Sequence, residues 1–276
     1  MTFLRLRGLP ARLFLLALVL IYAIPLYWLL ATSLKSPADL ASDPSGLIFA
    51  PTLQAFQAVW SSSITAAYAS FEIAVGTTVV VVILACLTTY GLTRSLGRRA
   101  QLSLALGVAV LVTLHMVPQP TSVIPLYALL ADWHLTNTIP GVIVADVALE
   151  LPFAVLLLRP FFLGVPRDLE DAARVDGATN LVVFWRIVLP LVRNGLFTVA
   201  ALTFMIIWGE FIYAISFLND PNVYPVSALL AQQISLISAS WNDLMAIAVL
   251  TSVPILIVFV VSQRRLVESV TLGAVR

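Results

Sequence analysis

Six predominantly apolar runs recur along this chain, each close to the roughly 20 residues a helix needs to cross the hydrocarbon core of a bilayer. They lie at 12–32, 71–92, 102–126, 139–160, 196–218 and 243–263. Charged residues make up 11% of the 276 positions and hydrophobic ones 61%, whereas a soluble domain carries about 25% charged residues. The sequence therefore predicts an all-α, polytopic membrane protein, a single domain over 1–276 with six transmembrane helices. The first run, Leu13 to Ala31, is longer than the core of a cleaved signal peptide and contains Pro25, Tyr27 and Trp28. We expect it to be retained as a helix.

An even number of spans puts both termini on one face, and the arginines say which. Arg5, Arg7 and Arg12 precede the first run, and Arg94, Arg98 and Arg99 separate the second from the third. Arg159, Arg167, Arg174, Arg186 and Arg193 lie between or border the fourth and fifth, and Arg264, Arg265 and Arg276 follow the last. Every one of the 15 Lys and Arg residues except Lys35 belongs to these groups. Short cytoplasmic loops carry this bias. Residues 94–99, 167–193 and the tail 264–276 are therefore expected in the cytoplasm, with the chain as a multi-pass component of the cell (inner or plasma) membrane, in contact with lipid. A net charge of +1 gives no reason to expect a nucleic-acid partner. Cys86 is the one cysteine, set in an apolar run, so no intrachain disulfide is possible and a small packing residue is expected. With only His115 and His134 beside it, no metal-ligand spacing is present.

Against this apolar background, 167–191 is polar: R-D-L-E-D-A-A-R-V-D-G-A-T-N-L-V-V-F-W-R-I-V-L-P-L. It reads as two short helices with a break. Pro166 suits a first turn, and Asp168, Glu170 and Asp171 sit near the positive end of the helix dipole. Glu170 and Arg174 form an i,i+4 pair in the favourable order. Gly177 is expected in the left-handed conformation that ends a helix. Thr179 or Asn180 caps the next helix, and Pro190 discourages its continuation. Leu169, Ala172 and Ala173 make a narrow face on which another protein's backbone can approach closely.

The spacing Asp171-Ala172-Ala173, three residues, Gly177, nine residues, Ile187, one residue, Leu189-Pro190 resembles the EAA loop. That loop belongs to the membrane-spanning permeases of binding-protein-dependent ABC importers. The first position is Asp where the family usually has Glu, and Glu170 stands just before it. The resemblance implies that Glu170, Asp171, Ala172, Ala173, Arg174, Asp176, Gly177, Ile187, Leu189 and Pro190 dock on and couple to an ATP-hydrolysing subunit.

Other stretches are similar to the carbohydrate-uptake class, in particular its smaller maltose-type subunit. They are Ser33-Leu34-Lys35 with Pro51-Thr52-Leu53, Ile124-Pro125-Leu126-Tyr127, Asn137-Thr138, and the tail from Gln263 to Val275. Trp133-His134 stands where that class has Leu-Gly. Between the first two spans the sequence reads as a solvated connector, with Leu53–Trp60 as a short surface helix. Residues 224–240 read as an amphipathic outer segment. Pro118, Pro120 and Pro125 mark the third run as a broken helix, tolerated where protein or a water-filled cavity satisfies the freed backbone.

Carboxyl groups at membrane depth face a bundle interior or a wet cavity. Asp146 and Glu150 are one turn apart in the fourth run, and Glu210 sits in the fifth within Trp208-Gly209-Glu210-Phe211. A structural hydrogen bond between helices accounts for these acids as well as a pathway does. As pathway residues, Asp146, Glu150 and Glu210 accept hydroxyl hydrogen bonds and Trp208 offers an apolar face to a sugar ring.

The chain carries no phosphate-cradling loop. Such a loop needs glycines before its lysine, and Lys35 follows Trp28-Leu29-Leu30-Ala31-Thr32-Ser33-Leu34. No nucleophile–base–acid set is readable, so we expect a transport subunit and not an enzyme, with no catalytic residues, bound metal or cofactor of its own. The resemblance implies a type I ABC importer permease fold forming half a pathway for a sugar or sugar-like solute. It also implies a second homologous permease, an ABC ATPase dimer holding ATP and magnesium, and an extracytoplasmic solute-binding protein. The alternatives are another polar solute, such as a glycerol phosphodiester or polyol, or an ATP-independent channel or receptor subunit.

Overall fold

A computed structural model describes residues 9–95, 97–235 and 240–274. Arg5, Arg7 and Arg276, three of the arginines that orient the chain, lie outside the described residues, as do 236–239 of the predicted outer segment. The chain forms two compact units, 1–64 with 229–253 and 65–228 with 254–276.

In the first unit, α1 (Leu9–Ser33) exposes most of its large apolar side chains from Leu13 to Trp28, as a helix meant for lipid or another protein does. The segment after it is more ordered than a solvated connector. Ser36 caps α2 (Pro37–Ser42), accepting the Asp39 N–H at 3.1 Å, and Pro37 occupies the first turn, where its missing N–H costs nothing. Lys35 is 3% exposed. Its Nζ donates to the Asp43 and Pro44 carbonyls at 3.3 and 2.8 Å and lies 5.9 and 5.4 Å from the ring centres of Trp28 and Phe49. The Thr52 N–H closes the segment on the Leu34 carbonyl at 2.8 Å.

Helix α3 (Gln54–Tyr90) runs for 37 residues. The predicted short helix at Leu53–Trp60 is thus the start of the second span, not a separate element. No Pro or Gly falls between Thr52 and Gly76 to interrupt it, and its length, about 55 Å at 1.5 Å per residue, exceeds a bilayer core. A π-helical turn, Gly91–Ser95, ends it.

The second unit contains the third predicted span as two helices, α4 (Arg98–His115) and α5 (Gln119–Asp132). The proline-rich join breaks the run: Pro118 precedes α5 and Pro120 lies in its first turn, where a proline is tolerated. Next come α6 (Ile139–Leu163), α7 (Arg167–Val175) and α8 (Asn180–Val183), a second π-helical turn at Phe184–Val188, and α9 (Leu189–Trp208). Two expectations are corrected here. Pro190 does not stop the helix, because the wider π turn before it relieves the clash of its ring with the carbonyl four residues back. The fifth span is not one helix over 196–218: it breaks at Gly209 and resumes as α10 (Ile212–Phe217). A 3₁₀ turn at Pro221–Val223 leads to α11 (Val226–Ser235), and α12 (Trp241–Ala274) ends the described chain.

Among the described residues five helical stretches are long and apolar enough to cross a membrane: 11–33, 54–94, 139–163, 180–208 and 241–264. The third predicted span falls short as a single helix because of its break. Val81, Ala85, Val155, Leu158, Phe162, Val188 and Val192 form a core where α3, α6 and α9 meet. Gly195 lets α9 approach closely, since a Cβ there would lie 2.4 Å from the Phe161 ring.

Candidate functional site

The polar stretch folds as its residue types dictate. Pro166 precedes α7, which carries Asp168 and Glu170 in its first turn. At its far end the Gly177 N–H donates to the Arg174 carbonyl (3.0 Å) and the Ala178 N–H to the Ala173 carbonyl (2.9 Å), the paired bonds of a Schellman stop. Gly177 has φ +88°, and no atom lies within 4 Å of a would-be Cβ, so the demand for glycine comes from backbone conformation alone. The Thr179 hydroxyl, not Asn180, caps α8, accepting the Val182 N–H at 3.4 Å.

The ten residues of the loop pattern divide by exposure. Asp171, Ala172, Asp176, Gly177 and Pro190 face outward, as do Val175, Leu181 and Trp185. Val175 is 87% exposed, an apolar side chain displayed beside the turn. Ala173, Ile187 and Leu189 are half-buried, and Arg174 spans Asp171 (2.6 Å), Glu170 (3.3 Å) and the Asn180 side-chain oxygen (3.4 Å). Glu170 differs from the others, being 1% exposed. Its Oε1 lies 2.8 Å from Arg94 Nε on the π turn after α3. The Arg94 Nη2 donates to the Phe162 carbonyl at 2.7 Å and to that of Val165, while Arg167 donates to the Thr93 carbonyl at 3.1 Å. In the sequence Arg94 stands out only as one of the arginines that orient the chain. Its pairing joins residues far apart in the chain, and no local spacing announces it.

A second polar cluster lies where the two broken spans face α6. Glu210 is held firmly: Oε1 accepts from the Tyr213 N–H (2.7 Å) and Gln119 Nε2 (3.2 Å), and Oε2 accepts from the Ala214 N–H (3.0 Å). The carboxylate thereby caps α10 and ties it to α5. Ser122 and Tyr213 share a hydroxyl contact at 2.7 Å in the same place. Trp208 is buried and stacks on Phe204 at 5.8 Å. Asp146 is wholly buried, and neither of its carboxyl oxygens finds a hydrogen-bond partner among the described residues. Glu150 lies one turn further along α6 and is also buried. The structure thus sets Asp146 and Glu150 on α6, the helix that α10 and its Glu210 cap pack against. It gives Glu210 a capping task and leaves Asp146 with acceptor capacity unused.

Removing the Glu210 cap strands two backbone N–H groups, each worth about 1–3 kcal/mol when left unsatisfied. Glu210→Ala is expected to lower the melting temperature of the purified protein by several degrees, and Glu210→Gln, which keeps an accepting oxygen, by less. Equal melting temperatures for all three proteins would show that the cap contributes nothing.

Just before α6, the side-chain oxygen of Asn137 (φ +57°) accepts the Asn219 and Asp220 N–H groups at 2.7 and 3.2 Å. His134 takes φ +56°, so it fills the left-handed position that a glycine would otherwise occupy.

Comparison with known proteins gives a concordant result. Residues 104–272 match the family model described as binding-protein-dependent transport system inner membrane component. The chain is 32% identical, over 98% of its length and 94% of the relative's, to the sulfoquinovosyl glycerol transport system permease protein SmoH of Agrobacterium fabrum. It is 30% identical to the trehalose transport system permease protein SugB of Mycobacterium tuberculosis, over 94% of both chains. It is likewise 30% identical to the diacetylchitobiose uptake system permease protein NgcG of Streptomyces coelicolor, over 93% of this chain and 85% of that one. In fold it is similar to a chain of a bacterial ABC transporter involved in import of the acidic polysaccharide alginate, with TM-score 0.75 and 19% identity over 93% of this chain and 98% of that one.

Proposed function

Since this chain belongs to the binding-protein-dependent transport system inner membrane components, we propose that it forms half of the translocation pathway of an ATP-driven importer for a sugar or sugar-like solute. The surface presented by 167–191 carries this reading. Its left-handed turn at Gly177 aims a short helix outward, with Ala172 and Val175 uncovered for a partner. The relatives named for trehalose, diacetylchitobiose and sulfoquinovosyl glycerol support a glycan-type solute.

In this reading both termini and the loop are cytoplasmic, and α7 enters a groove of an ABC ATPase dimer that holds ATP and magnesium. A second permease completes the pathway, and an extracytoplasmic binding protein delivers the solute. Closure of the ATPase dimer on ATP moves the loop, and the helices turn from inward-open to outward-open. Hydrolysis resets them. Differential contacts of ATP and binding protein with the two states supply the driving free energy. Asp146 and Glu150 offer carboxyl acceptors to solute hydroxyls within the membrane.

The test is purification from the native membrane in mild detergent. An ABC ATPase and a second permease should copurify, and a cysteine at Asp171 (in a Cys86→Ala background) should cross-link to the ATPase. Mass spectrometry of the companion binding protein should return a glycan or polyol. Recovery of this chain without any ATPase, or with a phosphorylated or peptide ligand on the binding protein, would refute the respective part of the reading.

A further inference from the structure

We propose that Arg94 is the joint through which movement of α7 reaches the ends of α3 and α6, its ion pair with Glu170 setting the position of α7. The inference rests on the reading of 167–191 as the loop that meets an ATPase, and deepens it. Arg94 touches three segments at once. Its backbone belongs to the π turn that ends α3, its Nη2 donates to the Phe162 and Val165 carbonyls at the end of α6, and its Nε lies 2.8 Å from Glu170 on α7. The pair is enclosed, with side-chain exposures of 4% and 2%. Glu170 therefore has no free surface to offer another protein, although it stands among the residues of the loop pattern.

The attachment of α7 is mainly polar. Ala173 is its one residue packed against the apolar core among the described residues, and Arg167 adds a second bond to the same π turn through the Thr93 carbonyl. An apolar seam would lock α7 at one angle, because packed side chains resist rotation. An ion pair backed by carbonyl acceptors transmits force while tolerating some change of angle. Both π turns lie at this place: Tyr90, just before the first, packs on Phe184, which opens the second, at 4.8 Å. Such wide turns often mark functional positions in helices. A purely stabilising role explains the pair less well, because a buried ion pair is often no more stabilising than apolar residues of the same volume. Arg94 is on this account a positioning residue, acting on the pathway through helices it holds together.

The experiment uses the assembled transporter with its ATPase. Spin labels at Asp176→Cys and Asn222→Cys, in a Cys86→Ala background, report the distance between the loop and the outer turn, without nucleotide and with ATP and vanadate. The Arg94→Gln/Glu170→Gln double variant leaves no buried charge unpaired. It should keep its abundance and the α7–ATPase cross-link yet lose the nucleotide-dependent distance change. Stimulation of ATP hydrolysis by the binding protein should fall about tenfold, the scale of a typical coupling between sites. Arg94→Lys keeps the charge but lacks the fork that reaches the α6 carbonyls, and should show the same loss at normal abundance. Exchanging the two charges should not rescue, because a carboxylate at position 94 would face those carbonyls. A parental distance change and stimulation in Arg94→Lys, or in the double variant, would overturn the proposal. Absence of the α7–ATPase cross-link in the parent would instead overturn the docking reading, and the joint with it.

Discussion

Gly177→Leu is expected to leave the chain inserted and at normal abundance while cutting uptake and stimulated ATP hydrolysis about tenfold or more. The left-handed conformation costs an L-residue with a side chain roughly 1–2 kcal/mol, and each 1.4 kcal/mol is about a factor of ten in an equilibrium. No atom lies within 4 Å of the place a β-carbon would take, so a side chain starts into open space and the chain is expected to stay folded. The loss instead falls on the turn that aims α7, with φ at +88°. Gly177→Asn, a residue that visits this region more readily, should recover much of the activity, which separates conformation from bulk. Asp171→Lys should act in the same direction. It removes the 2.6 Å contact to Arg174 and sets a like charge beside that guanidinium. Normal transport by both the Leu and the Lys variants would end the assignment of this loop to an ATPase.

The second large effect is expected at Glu150. Glu150 is buried in α6 one turn from Asp146, whose oxygens have no partner among the described residues. If Glu150 meets a solute hydroxyl, Glu150→Ala leaves that hydroxyl without its partner, at a cost of about 1–3 kcal/mol. Uptake of the solute recovered with the binding protein should then fall roughly ten- to hundredfold. Glu150→Gln keeps the shape and one acceptor, so its loss should be smaller. Assembly and basal ATP hydrolysis should persist in both. Failure of Glu150→Ala to assemble with the second permease would assign the residue to structure, and unchanged uptake in both variants would remove it from the pathway.

How much of this was legible depended on the range of the interaction. The apolar runs and the stop at Gly177 are local, set by residues within a few turns, and the structure follows the stop and most of the runs, the fifth departing where the helix breaks at Gly209. The continuity of α3 was hidden because the polar composition of 54–64 looks like surface, although nothing in it breaks a helix. The passage of the helix through Pro190 was hidden for the opposite reason, since a π turn is a backbone adjustment that no residue type signals strongly. The capping of α10 by Glu210 could have been suspected, as an acid three residues before the first free N–H groups of a helix following Gly209. That it also binds Gln119, 91 positions away, could not. The Arg94–Glu170 pair is of the same kind: two charges whose proximity exists only once α3, α6 and α7 have assembled.

The enclosure of Lys35 has a practical consequence for anyone mapping the neighbours of this protein. It is the only lysine in the chain, and its ammonium is sealed against two carbonyls and two aromatic rings. Amine-directed reagents, including the succinimidyl esters used in most cross-linking mass spectrometry, will therefore find no side-chain amine to acylate while the segment 34–52 stays folded. Contacts that would be reported through lysine side chains will be missing from such maps even where they are extensive, and carboxyl- or thiol-directed chemistry on Asp171, Asp176 or introduced cysteines is the way to make them visible.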